Sequence, residues 1–186
     1  VIVLFLQKND NMLSNTGVRY GLLGGVAVVF YLFLMYALNP AYFLRPELQW
    51  SSLIIYGLFM WQAAKVDVAE QGLSRDFREI LRTPFVAFLL INLCYWTFYY
   101  ALHLYDPSLL QTEMVTEITA LKAQIQSGLG DPQQANAIRE RIVALEESIQ
   151  SPSTQPLGPI INRMFIGALG GFVLASGVAV IFRSRA

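Results

Sequence analysis

Val18 to Leu38 is an apolar run of about twenty residues, the length an α-helix needs to cross a hydrocarbon core of about 30 Å. Its only charge, Arg19, stands at its start. Comparable runs follow at Leu48–Ala64, Pro84–Tyr105 and Ile160–Phe182. Inside a bilayer no water can satisfy the backbone N–H and C=O groups, so each run is expected to be a helix. The expected fold is therefore all-α: a polytopic membrane protein with four transmembrane helices. Composition agrees, since 55% of the 186 residues are hydrophobic and 14% are charged, outside the usual range of a soluble domain.

Breakers and aromatic residues mark the ends of these runs. Asn39-Pro40 closes the first, with Tyr20 near its start and Tyr36 and Tyr42 near its end, where amphipathic rings suit the headgroup layer. Trp50 and Trp61 bracket the second. Lys65 to Thr83 is polar, and Gly72-Leu73-Ser74 reads as a loop with Ser74 capping a brief amphipathic helix. Pro84 is placed to begin the third span, because a proline's missing N–H costs nothing in a first turn. Tyr95, Trp96, Phe98, Tyr99, Tyr100 and Tyr105 crowd the far end of that span and are expected to form an interfacial belt.

Between the third and fourth spans lies the one long polar stretch, Asp106 to Pro159. Asp106-Pro107 and Asp131-Pro132 each place a capping carboxylate before a proline, announcing two helices. In the first, Leu110, Met114, Ile118, Leu121 and Ile125 recur at three- and four-residue spacing; in the second, Ile138, Ile142, Leu145 and Ile149 do the same. Gly128-Leu129-Gly130 turns the chain between them and Ser151-Pro152 ends the second. The two stripes are expected to bury each other in an antiparallel helical hairpin or to meet a partner, since neither is long enough for an independently stable helix.

Small residues mark the spans. Gly17, Gly21 and Gly25 recur every fourth residue in the first, and Gly167, Gly171, Ala175 and Ala179 do so in the fourth. Such stripes let helix backbones approach closely. The simplest pairing sets span one against span four, and the other option is a homo-oligomer contact. Gln62 and Asn92, the intramembrane amides, are expected to hydrogen-bond between helices.

Lys8, Arg19, Lys65, Arg75, Arg78, Arg82, Arg183 and Arg185 would share one face of the membrane, against Arg45 and Arg163 on the other. The positive-inside rule then places both termini in the cytoplasm and the hairpin outside. This divides the chain into a tail at 1–17, three spans over 18–105 with a cytoplasmic amphipathic connector at 65–83, an extracytoplasmic acidic hairpin at 106–159, and a fourth span with a basic C-terminus at 160–186. Val1–Leu6 is too short for the apolar region of a signal peptide and follows no basic segment.

Several motifs together resemble a family of small bacterial inner-membrane proteins of unknown function, a four-span domain defined by sequence. They are Tyr20-Gly21-Leu22-Leu23-Gly24-Gly25, the passage from Gly72-Leu73-Ser74 to Pro84, the Asp106-Pro107 helix start, and Ile166-Gly167-Ala168-Leu169-Gly170-Gly171. The resemblance covers most of the chain from Thr16 on; Gln133 to Gln150 is longer than the family pattern. It implies a bacterial inner (cytoplasmic) membrane location and brings no catalytic residue.

No catalytic chemistry is expected. His103 is the sole histidine and Cys94 the sole cysteine, which leaves no triad, disulfide or ligand set of suitable spacing, and hence no cofactor or metal. Thirteen basic and thirteen acidic residues cancel, so no global field recruits nucleic acid. The expected partners are the lipid bilayer and other membrane-protein subunits or a second copy. The expected function is that of a non-enzymatic accessory or scaffolding subunit of a larger inner-membrane complex, contacting partners through its hairpin and glycine-stripe faces. The alternative is a small transporter or channel formed by oligomerisation.

Overall fold

A computed structural model of the chain describes residues 15–71, 76–127, 132–150 and 157–183, and among them the regular secondary structure is entirely α-helical. In chain order the helices are α1 (Thr16–Leu38), α2 (Pro40–Phe43), α3 (Pro46–Ser51), α4 (Leu53–Gln71), α5 (Phe77–Tyr105), α6 (Pro107–Gln126), α7 (Pro132–Gln150) and α8 (Leu157–Arg183). The Gly72-Leu73-Ser74 loop, the Gly128-Leu129-Gly130 turn with Asp131, the Ser151-Pro152 end and residues 1–12 lie outside the described residues.

Among the described residues three helices are long and apolar enough to cross a membrane: α1, α5, and Ile161–Arg183 of α8. Large apolar side chains remain uncovered along them, with Val26 69% and Leu169 71% exposed. Water would penalise such a surface at about 25 cal/mol per Å², whereas lipid does not. The chain is a multi-pass membrane protein.

Local chemistry sets the helix ends. Asn15 caps α1 by accepting a hydrogen bond from the Gly17 N–H at 3.0 Å. Asn39 serves twice: its N–H closes α1 on the Met35 carbonyl, and its side chain accepts from the Ala41 N–H at 2.9 Å to start α2, where Pro40 takes the first position. Two ends differ from the sequence expectation. The second apolar run does not form one helix from Leu48, since α3 ends at Ser51 and α4 begins at Leu53, with Ser51 and Ser52 hydroxyls donating back to the Leu48 and Gln49 carbonyls. Then α4 continues through the charged residues to Gln71. Polarity ends a hydrocarbon span, but it does not end a helix, and no Gly or Pro interrupts the chain from Leu58 to Gln71.

The brief helix expected before Pro84 and the third span are likewise one element. α5 starts at Phe77 and carries Pro84 in its interior. A proline there removes one ladder bond, a loss that helices packed in a membrane tolerate.

The described chain forms two compact units, one comprising residues up to Tyr99 together with those from Gly158 on, the other Tyr100–Leu157. In the first unit the helices alternate in direction. α3 and α4 together run antiparallel to α1: Tyr31 donates to the Leu48 carbonyl of α3 at 3.1 Å near one end, Gly24 faces Phe59 of α4, and Thr16 donates to Glu70 at 3.3 Å near the other end. The C-terminal half of α4, the start of α5 and the end of α8 meet in a cluster of Ala64, Val68, Ile80, Ala179 and Phe182, with Trp61 and Phe182 rings 4.7 Å apart.

At the opposite end of this unit, α2 inserts Phe43, 1% exposed, onto Tyr99 in a stacked pair with centroids 5.3 Å apart. Tyr95 and Tyr99 are buried and stacked on each other, and Trp96 meets both edge-on. Tyr95 and Tyr99 are therefore core residues of this end of the unit, whereas Trp96 is half-buried. Tyr105 is 81% exposed. Aromatic bodies satisfy either environment, and the turn at Asn39-Pro40 returns Phe43 to cover Tyr99.

Asn92, buried on α5, donates to the Met164 carbonyl of α8 at 3.2 Å. Asn92→Leu is expected to weaken this helix pair by about 0.6 kcal/mol, the typical value of an interhelical hydrogen bond in a membrane. A denaturant titration in mixed micelles, following near-UV circular dichroism, measures it.

Candidate functional site

The small residues converge on α5. A Cβ built on Gly17 would lie 2.8 Å from the Thr83 backbone oxygen, one on Gly21 would lie 2.9 Å from Leu90, and one on Gly25 would lie 2.6 Å from Cys94 Sγ. Gly24, which falls outside the four-residue stripe, is equally tight, at 2.6 Å from Ile91 and 3.0 Å from Phe59. From α8, Gly167 faces the Asn92 amide at 3.3 Å, and a Cβ on Gly171 would overlap the Phe88 ring. Ala175 and Ala179 are fully buried, and Ala179 joins the cluster around Ile80. The stripes of α1 and α8 are thus set against α5, not against each other as the simplest pairing supposed. The physical reason is that α5 carries the large partners, Phe88, Leu90 and Ile91, that fill the space two small-residue faces leave open.

The second unit contains the hairpin. Ile118, Ile142 and Leu145 form its buried core, with Met114, Leu121, Ile125, Ile138 and Ile149 packed around them. Leu110 is half-buried and lies outside that cluster, while its neighbour Leu109 is 2% exposed. Asp106 starts α6 by accepting from the Ser108 N–H at 3.1 Å, with Pro107 in the first position. Among the described residues two cross-helix ion pairs join α6 and α7: Lys122 to Glu146 at 2.9 Å, and Arg141 to Glu117 at 3.1 Å. Exposed pairs of this kind contribute only about 0.2–1 kcal/mol each, so the apolar core carries the stability and the pairs align the two helices. Glu140 and Glu147 remain on the exposed surface.

Two polar positions were not legible as buried. Asp67, placed by the sequence in a polar amphipathic connector, is 4% exposed on α4. The available signal was spacing, because Asp67 continues the buried face of Tyr56, Met60, Ala63 and Ala64. His103, the sole histidine, has a fully buried side chain with Nε2 3.3 Å from Glu113 Oε2, an ion pair when the ring is protonated. Among the described residues no three His, Cys, Asp or Glu side chains gather where a metal could bind. The described arrangement presents a charged hairpin surface and a bundle with large exposed apolar side chains.

No curated protein and no solved structure shows a significant match to the chain. Residues 19–184, from the start of α1 to just beyond the end of α8, match the family described as "Protein of unknown function (DUF4199)", so the glycine-bearing bundle and the hairpin both fall within the matched region and the chain belongs to that family.

Proposed function

We propose that the chain is a non-enzymatic, four-span subunit of a larger bacterial inner-membrane assembly, which it contacts through the α6–α7 hairpin. The observation that carries this reading is a hairpin with its own apolar core and cross-helix ion pairs, which together present an ordered charged surface. α4 is read as the remaining span because it lies along α1 from Gly24, which faces Phe59, to Thr16, which donates to Glu70, and its 19 residues extend about 28 Å. Arg19, Lys65, Arg78, Arg82 and Arg183 then share one end of the bundle, against Arg45 and Arg163 at the other. That asymmetry supports cytoplasmic termini and an extracytoplasmic hairpin.

The glycine faces are a weaker choice for partner contact. Their close approaches to α5 leave them occupied within one chain, which also weighs against a channel assembled through them. Photo-cross-linking from Glu140 in native membranes is expected to yield an adduct with a different membrane protein. Recovery of uncross-linked monomer alone would defeat the proposal.

A further inference from the structure

Beyond the hairpin, the bundle carries a second feature with ligand-binding chemistry. An open groove of about 700 Å³ lies at the C-terminal end of α1, floored by Met35, Leu38, Pro46 and Leu48. Its polar lining comes from Tyr42, Arg45 and Glu47. Since α1 has 23 residues and extends about 34 Å, its last turn falls at the junction of hydrocarbon and headgroups. Trp50, 70% exposed nearby in the chain, is of the type that settles at that depth.

The two charges of the groove do not pair with each other. The Arg45 guanidinium sits over the Tyr42 ring, 5.3 Å from its centroid, which holds the cation by its face and leaves its N–H groups to meet an anion. Glu47, two residues on, is exposed, and among the described residues neither it nor Arg45 takes part in an ion pair. One unpaired cation and one unpaired anion on the lining of an apolar groove in the headgroup layer match one kind of molecule.

We propose that this groove binds a zwitterionic glycerophospholipid. Arg45 takes the phosphate, Glu47 takes the headgroup ammonium, and the apolar floor takes the upper part of an acyl chain. An anionic lipid satisfies Arg45 but brings no cation to Glu47, so the groove discriminates between them.

The test is native mass spectrometry of the full chain in detergent, titrated with phosphatidylethanolamine, phosphatidylcholine or phosphatidylglycerol. Both zwitterionic lipids are expected to be retained over phosphatidylglycerol by roughly 1.4-fold to fivefold, the range set by an exposed ion pair. Glu47→Gln is expected to abolish that preference and Glu47→Asp to keep it, while Arg45→Gln lowers retention of all three. A purely structural role for Glu47 in the first turn of α3 would not change selectivity by headgroup charge. Equal retention of the three lipids by the native chain, or an unchanged preference in Glu47→Gln, means annular lipid only and overturns the proposal.

Discussion

Gly171→Leu is expected to disrupt the bundle from within a single chain, with loss of cooperative unfolding in micelles. Even a Cβ at this position would overlap the Phe88 ring, and Phe88 is itself 3% exposed and in contact with Tyr56 at 5.2 Å between centroids. The ring therefore has no open side to move into. Overpacking a fitted core usually costs about 1–3 kcal/mol, and a full leucine here falls at or above the top of that range. Phe88→Ala in the same chain restores the volume, so the double variant is expected to recover much of the lost stability. If Gly171→Leu instead left the monomer intact and only changed an oligomer, the stripe would face another copy and the internal assignment would be wrong. Thermal unfolding and size-exclusion chromatography of the two variants separate these outcomes.

The second large effect is expected at Ile118→Asp. Ile118 is 8% exposed at the centre of the hairpin, between Ile142 and Leu145. Ile→Ala changes in such cores cost about 2–5 kcal/mol, and a carboxylate adds its own desolvation to the lost packing. Neither α6, with 20 residues, nor α7, with 19, is long or alanine-rich enough to be a secure helix alone, so the hairpin is expected to melt as a unit. Limited proteolysis in micelles should then cut within 107–150, while fragments containing the first unit's helices stay resistant. Uniform resistance across the hairpin would show that something other than its apolar core holds it.

These predictions rest on contacts that were unequally legible in the sequence. The hairpin stripes could be read directly, because a 3.6-residue period names both the helix and its buried face, and two Asp-Pro pairs mark where the helices start. The ends of α4 and α5 were less clear because polarity was read as a breaker. Lys65, Asp67 and Glu70 leave the hydrocarbon without leaving the helix, and Pro84 sits inside α5. The glycine stripes announced close approach but could not name the neighbour, since a small residue fits any large one; only the structure assigns Phe88 to Gly171 and Leu90 to Gly21. Tyr95 and Tyr99 were ambiguous for a similar reason, as rings suit both a headgroup layer and a core. Phe43, arriving through the Asn39-Pro40 turn, decided between them. The groove at Arg45 left no periodic trace at all, because it is made by the short helices α2 and α3 and the last turn of α1.

The claim that the hairpin exists to hold a partner is tested most directly by photo-cross-linking from Glu140 in native membranes, comparing the wild-type chain with Ile118→Asp. The account predicts a discrete adduct with another membrane protein in the wild type and its loss in the variant. An adduct of equal yield in both, or none in the wild type, would contradict it.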